Sequence, residues 1–437
     1  MATPVPALML ALSPALPALA AALLAGCLYV AIWRAASGLD AAARALARAA
    51  PLGAIAPGLL GISLILAPQH DAAVAGPADV ARTASLTPGA DRELEWDVVP
   101  VFYGTDRARQ EPTGGQPRVA YGPERGHRLE LGQALVTVPA AHRVPAIERP
   151  FALRLPYLHV VLYEQPEDPR RHFTIKELRV LSATDLLARA RERLNAGRAF
   201  RDQALVFIHG FNTGFEAALY RTAQLASDLQ FDGAAFLYSW PSAGSVAAYP
   251  RDRESATQAE PYLKAFLALV AAETGARGVS VIAHSMGSLP LLNVLRDLGP
   301  SLPPGVRLNE VILAAPDIDR DVFANLAAAV RGYGRGMTLY CSANDRAMTA
   351  ARSFAGGVPR AGDVPPDGPV IVPGIDTIDV TSTGPDLLAV NHSLYAEKSA
   401  LLSDIGLLLL TGERPPDRRV PILQRMRTAR GDFWRYP

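Results

Sequence analysis

Along the chain the hydrophobic positions change spacing several times, and each change marks a different kind of segment. Met1 to Trp33 contains no charged side chain, and Pro17 to Trp33 is a nearly unbroken apolar run. A second uncharged stretch lies between Arg48 and Asp71. Each run is about the ~17–25 residues a helix needs to cross a bilayer, so residues 1–70 read as a membrane hairpin. Residues 71–96, rich in Ala, Gly, Pro, Thr and Asp without sustained periodicity, read as a linker. From 97 to 200 short β-branched runs are bounded by Pro or Gly: Val98 to Tyr103, Gln133 to Pro139, Leu158 to Tyr163 and Lys176 to Val180. They predict a β-rich N-terminal extension packed on the core, followed by a helix at Asp185 to Leu194.

From 201 to 412 strand-like and helix-like patterns alternate. Strands are expected at Ala204 to Ile208, Ala234 to Trp240, Val279 to Ala283, Glu310 to Ala314, Met337 to Ser342, and either Val370 to Val372 or Thr377 to Val380. Helices are expected at Phe215 to Leu229, Asp252 to Thr274 with a break or kink at Pro261, Asp321 to Arg331, and Tyr395 to Leu410. Such alternation predicts a mostly parallel α/β sheet with helices on both faces and a site at the carboxyl ends of the strands. Residues 413–437 read as a C-terminal tail.

Composition changes this picture in only two places. A hydrophobic fraction of 49% and a mean hydropathy of +0.13 fit a chain with a segment in lipid. A net charge of +1 gives no sign of a nucleic-acid partner. Arg34, Arg44 and Arg48 outnumber Asp40 between the two apolar runs, which places that loop in the cytoplasm and the large C-terminal part outside it. A cleaved signal peptide is the first competitor, although no basic stretch precedes the apolar core. Leu24-Ala25-Gly26-Cys27 is similar to a bacterial lipoprotein box, which would make Cys27 an acylated anchor; a plain membrane-buried cysteine is the alternative. Cys27 and Cys341 form no disulfide framework, and the histidines have no metal-ligand spacing.

The candidate chemistry centres on Val279-Ser280-Val281-Ile282-Ala283-His284-Ser285-Met286-Gly287-Ser288-Leu289. An apolar strand, a serine flanked by small residues and an immediate helix pattern resemble the nucleophile elbow of α/β-hydrolases. A serine hydroxyl needs a base, and the base needs a carboxylate to fix its tautomer. Asp345, past one strand, and His392, before the last helix pattern, follow in the Ser-Asp-His order. Asp317, in Ala315-Pro316-Asp317-Ile318-Asp319, is an alternative acid. His209-Gly210-Phe211-Asn212 closes the first strong core strand, which nominates the N–H groups of Phe211 and Met286 as an oxyanion hole. Gly210, Asn212, Tyr238 and Trp240 are pocket candidates, with core packing as the alternative for the two aromatics. His209 and His284 are expected to pack in the site floor. Gly356 to Pro369 is either a flap near Asp345 or a surface loop.

Taken together, Val101 to Arg107, Val206 to Asn212, Tyr238 to Ser242, Ile282 to Gly287, Ala314 to Asp321 and Ser342 to Arg346 resemble a bacterial esterase/lipase-like family catalogued as a domain of unknown function. The resemblance spans about residues 97 to 412 and implies an α/β-hydrolase fold with a Ser285, Asp345, His392 triad. It supplies no natural substrate; the triad pattern and the two uncharged runs together lead to the expectation of a serine esterase acting on a small-molecule or lipid ester without cofactor or metal, at the bacterial inner membrane with its catalytic part on the periplasmic side. An acyltransferase or peptidase would use the same triad, and a non-catalytic envelope module is the remaining class. Two departures stand out: Ala283 replaces a glycine common at that position, and Pro290 falls early in the following helix.

Overall fold

The computed structural model describes residues 95–110, 119–154, 161–298, 308–345, 351–352, 356–383 and 395–437. The expected membrane hairpin, Cys27, nearly all of the linker, His159 and His392 lie outside the described residues. No helix among the described residues is long and apolar enough to cross a membrane.

Eleven strands form one sheet. They include β1 (Trp96–Gln110), β2 (Ala120–Pro139), β5 (Thr174–Leu181), β6 (Gln203–Ile208), β7 (Ala234–Ser239) and β8 (Gly278–His284). The remainder are β9 (Leu308–Ala314), β10 (Gly334–Cys341), β11 (Asp376–Asp379), β12 (Gln424–Thr428) and β13 (Gly431–Arg435). Two short strands, β3 (Ala152–Arg154) and β4 (Val161–Glu164), pair apart from it. The order across the sheet is β12-β13-β11-β10-β9-β8-β6-β7-β1-β2-β5. From β1 through β13 the neighbours run parallel, and the antiparallel pairs are β1–β2, β2–β5 and β12–β13. The central strands are apolar along their whole length because both faces are covered: every residue of β7 is buried.

Helices α1 (Ala183–Ala196), α2 (Phe215–Asp228), α3 (Tyr249–Gln258), α4 (Glu260–Glu273), α5 (Ser288–Leu298), α6 (Arg320–Val330) and α7 (Tyr395–Thr411) connect or close these strands. Pro261 ends no helix in its middle: α3 stops before Ala259 and Pro261 sits in the first turn of α4, where its missing N–H has no carbonyl to serve. Right-handed crossovers carry the chain from β6 outward to β7 and then back past β6 to β8. With the right-handed sense such crossovers take, this reversal assigns α2 to one face and α4, α5 and α6 to the other, and α5 packs against both α4 and α6. It also opens a crevice at the carboxyl ends of β6 and β8, where a ligand site is expected in such sheets.

Two sequence readings change. The strands before residue 200 do not form a layer on the core, because β1, β2 and β5 extend the same sheet, with β1 hydrogen-bonded to β7. The segment after residue 412 is not a plain tail: β12 and β13 are a hairpin that pairs with β11. Between these edges the core is pinned by buried ion pairs. Asp404 accepts from Arg419 Nε (2.6 Å) and from the Tyr340 hydroxyl (2.6 Å). His142 lies between Glu148 (2.9 Å) and Asp228 (2.7 Å), edge-on to Phe173.

Candidate active site

Ser285 follows β8 directly and begins a 3-10 turn, Ser285–Gly287, that runs into α5. Its φ is +50°, a conformation that costs an L-residue of its kind of the order of 1 kcal/mol and persists only where packing enforces it. Packing does so here. A Cβ on Gly287 would stand 2.4 Å from the His209 carbonyl oxygen, so only glycine lets the turn close onto β6. A Cβ on Gly210 would stand 2.9 Å from the Ser285 Cβ, which brings the loop after β6 against the serine. Pro290 is the third residue of α5, where a helix has no N–H bond to lose, so the helix geometry is intact. Ala283, fully buried at the end of β8, takes the place of the common glycine without disturbing the strand.

At the end of β6, His209 is buried and stacks on Trp240 at 5.0 Å between ring centroids. Its Nδ1 lies 2.8 Å from the Gly210 carbonyl oxygen, so Nδ1 carries the proton and donates. Burial, together with the nearby Arg107 charge, pushes the His209 pKa down to about 3, and the ring is neutral at physiological pH. Asn212 has φ +57°, a left-handed turn that asparagine tolerates. Phe211 packs edge-on against Tyr249 at 5.2 Å. Met286 lies in the first turn after β8, where backbone N–H groups have no intrahelical acceptor. Phe211 and Met286 thus follow the two strands that flank the crevice.

The two candidate acids differ in what surrounds them. Asp317, after β9, is buried, and its N–H donates to the Ser285 carbonyl at 3.1 Å. Both of its carboxylate oxygens are engaged, one by Arg360 Nε (2.8 Å) and one by the Tyr249 hydroxyl (2.7 Å). Asp345, four residues past β10 and two strands from β8, is also buried. Its loop is fastened by Asn344 Nδ2 to the Thr381 carbonyl (3.1 Å) and by Ser342 N–H to the Gly362 carbonyl (3.0 Å). The segment Gly356 to Pro369 is neither a free flap nor a loose loop at its centre. Ala361 N–H donates to Ile318 and Gly362 N–H to Pro316, and Arg360 is buried against Asp317. This stretch therefore walls the loop after β9.

Tyr238 and Trp240 are not pocket walls. Both are fully buried, Tyr238 donating to Asp106 Oδ1 (2.9 Å) and Trp240 Nε1–H donating to the His209 carbonyl (2.8 Å). His284 is held neutral as well, its pKa pushed down to about 4 by burial and by Arg221. No cluster of three or more His, Cys, Asp or Glu suited to a metal ion occurs among the described residues. A cavity of about 200 Å³ lined by Leu295, Leu308, Val330 and Tyr333 sits at the amino ends of β9 and β10, away from Ser285. Sequence reasoning gave no role to Arg107, Tyr249 or Arg360. Arg107 closes the Val101 to Arg107 motif, but for all three side chains the partners that define a role lie mostly tens of residues away in the chain.

A family model described as an alpha/beta hydrolase of unknown function (DUF900) matches residues 188–414 of the chain. Among solved structures, one from Lactobacillus plantarum WCFS1, described as that of a cell surface hydrolase, aligns over 50% of this chain and 95% of its own. Its identity is 14% and the TM-score is 0.31. No curated protein matches.

Proposed function

The chain belongs to this family of alpha/beta hydrolases, and on that premise we propose that it is a serine hydrolase that cleaves carboxylic esters through an acyl-enzyme. The observation that carries the reading is Ser285 itself, held at φ +50° between β8 and α5 with Gly210 against its Cβ. Ser285 Oγ attacks the ester carbonyl while His392, which lies outside the described residues, takes its proton. The N–H groups of Phe211 and Met286 hold the oxyanion. Collapse of the tetrahedral intermediate breaks the bond to the alkoxide, which receives the proton from His392; water then repeats the sequence and releases the acid. Asp345 orients His392 in this reading. Asp345 is preferred over Asp317 on its position past β10, ahead of the final strand, in the Ser-Asp-His order of the chain.

The uncharged runs of residues 1–70 support a membrane tether, with the hydrolase on the periplasmic side or, alternatively, anchored through an acylated Cys27. A reporter fused after Pro437 should work only outside the cytoplasm; activity confined to the cytoplasm overturns that placement. The chemistry is tested with short p-nitrophenyl esters. Ser285→Ala should lose hydrolysis by several orders of magnitude, and a variant as fast as the wild type would refute the reading.

A further inference from the structure

Arg107, near the outer end of β1, is almost completely buried, far from any surface role. Four of its five N–H groups have an oxygen acceptor, and the fifth points toward a ring nitrogen. Nε donates to Ser239 Oγ (2.9 Å), one terminal nitrogen to the carbonyls of Gly122 (3.1 Å) and Ser242 (2.9 Å), and the other to the Thr213 carbonyl (2.7 Å) and toward His209 Nε2 (3.4 Å). The cation therefore binds the loop after β6 and the loop after β7 together. Thr213 N–H and Ser242 Oγ add a direct bond between those loops at 3.1 Å.

The polarity of this network is determined. The Gly210 carbonyl, 2.8 Å from His209 Nδ1, can only accept, which puts the ring proton on Nδ1 and leaves Nε2 as the acceptor. The Ser239 hydroxyl, which accepts from Arg107, therefore donates to Nε2 at 3.1 Å. The Gly210–Phe211 peptide is trans, so its N–H points away from the oxygen that His209 holds. Fixing one end of a planar unit fixes the other.

We infer that Arg107 and His209 are positioning residues for the oxyanion hole: through Ser239 and the His209 ring, they lock the Gly210–Phe211 peptide so that the Phe211 N–H faces the carbonyl oxygen of an ester bound at Ser285. The inference rests on the serine-hydrolase reading above. It gives the β1 extension a task in catalysis, since the cation that orders the site is supplied from outside the alternating strand–helix core.

Two substitutions separate this role from simple packing. An asparagine amide nitrogen falls near the imidazole Nδ1 position and retains a donor to the Gly210 carbonyl, whereas a glutamine amide falls near Nε2 and does not. His209→Gln should lower kcat by about 10²–10³ with KM within about threefold, as for loss of one oxyanion donor. His209→Asn should stay within about tenfold of wild type. Both should remain folded with a cooperative thermal transition; if H209Q does not fold, Ser239→Ala reads the same relay and should lower kcat with KM unchanged. Wild-type kcat in folded H209Q, or equal losses in H209Q and H209N, overturns the inference. The outcome is distinguishable from failure of the parent reading, because that failure appears as an active Ser285→Ala enzyme.

Discussion

Gly210→Ala places one methyl group where the account allows none. The added Cβ would lie 2.9 Å from both the Ser285 Cβ and His284 Nδ1, and 3.1 Å from the His284 carbonyl oxygen. Carbon contacts settle at about 3.5–4.0 Å, so the loop must withdraw by about 0.6–1 Å. Neither neighbour can yield cheaply: Ser285 is already at φ +50°, and His284 is the last residue of a central strand. The movement falls on the segment that carries the Phe211 N–H. A donor at about 2.9 Å from an oxyanion then recedes beyond 3.5 Å, where no hydrogen bond remains. The expected loss is about 10²–10³ in kcat, equivalent to about 2.7–4 kcal/mol, with about 1–3 kcal/mol of overpacking in stability. Steady-state hydrolysis of a short p-nitrophenyl ester and a thermal melt measure the two effects separately. Gly406→Ala, within α7, is the control: among the described residues its Cβ would meet only Leu229 Cδ2, at 3.8 Å, so it should gain up to about 1 kcal/mol and leave kcat unchanged. A folded G210A enzyme with wild-type kcat would refute the placement of the oxyanion loop.

Asp345→Asn should lower kcat by about 10⁴ in a folded protein, as loss of a triad acid does elsewhere. Asp317→Asn should instead leave kcat within about tenfold while removing about 3–5 kcal/mol of stability, because Arg360 would remain buried without its counter-charge; the reverse pattern exchanges their roles. His142 gives a pH signature. Despite its burial, the hydrogen bonds and charges of Asp228 and Glu148 raise its pKa from 6.5 to about 9. Because the folded value is the higher one, its contribution is fully present below pH 6.5 and is lost as the pH rises toward 9. Urea unfolding of the wild type and His142→Gln should therefore differ most at pH 6 and converge near pH 9; a gap that widens with pH contradicts the ion-pair assignment.

The elbow was legible because its constraints are local. An apolar strand, small residues on each side of a serine and a following helix pattern require nothing distant to be recognised, and β8, the turn and α5 fall where that pattern places them. The outer strands were legible as strands at Val98 to Tyr103, Gln133 to Pro139 and Lys176 to Val180, but their full length and their place in the one sheet were not, for the opposite reason. β1 continues to Gln110 and β2 starts at Ala120, through charged residues that read as turn. Those side chains are accommodated by distant partners: Arg109 and Tyr121 hold Glu130, and Arg107 is satisfied by carbonyls of residues 122, 213 and 242. The terminal hairpin carries weak alternation, Gln424-Arg425-Met426-Arg427-Thr428, whose strand character comes from pairing with β13 and not from its own apolar content. Tyr238 and Trp240 looked equally suited to core or pocket. Only the sheet register, which places β7 between β6 and β1, settles that they are interior.

Ser285 as an activated nucleophile is the claim on which the rest depends. Its most direct measurement is reaction of the folded protein with a fluorophosphonate probe, followed by proteolysis and mass mapping of the adduct. The account predicts one covalent adduct, located on Ser285 and absent when the protein is heat-denatured before labelling. Folded protein left unmodified at Ser285, or carrying its adduct on another residue, would contradict it.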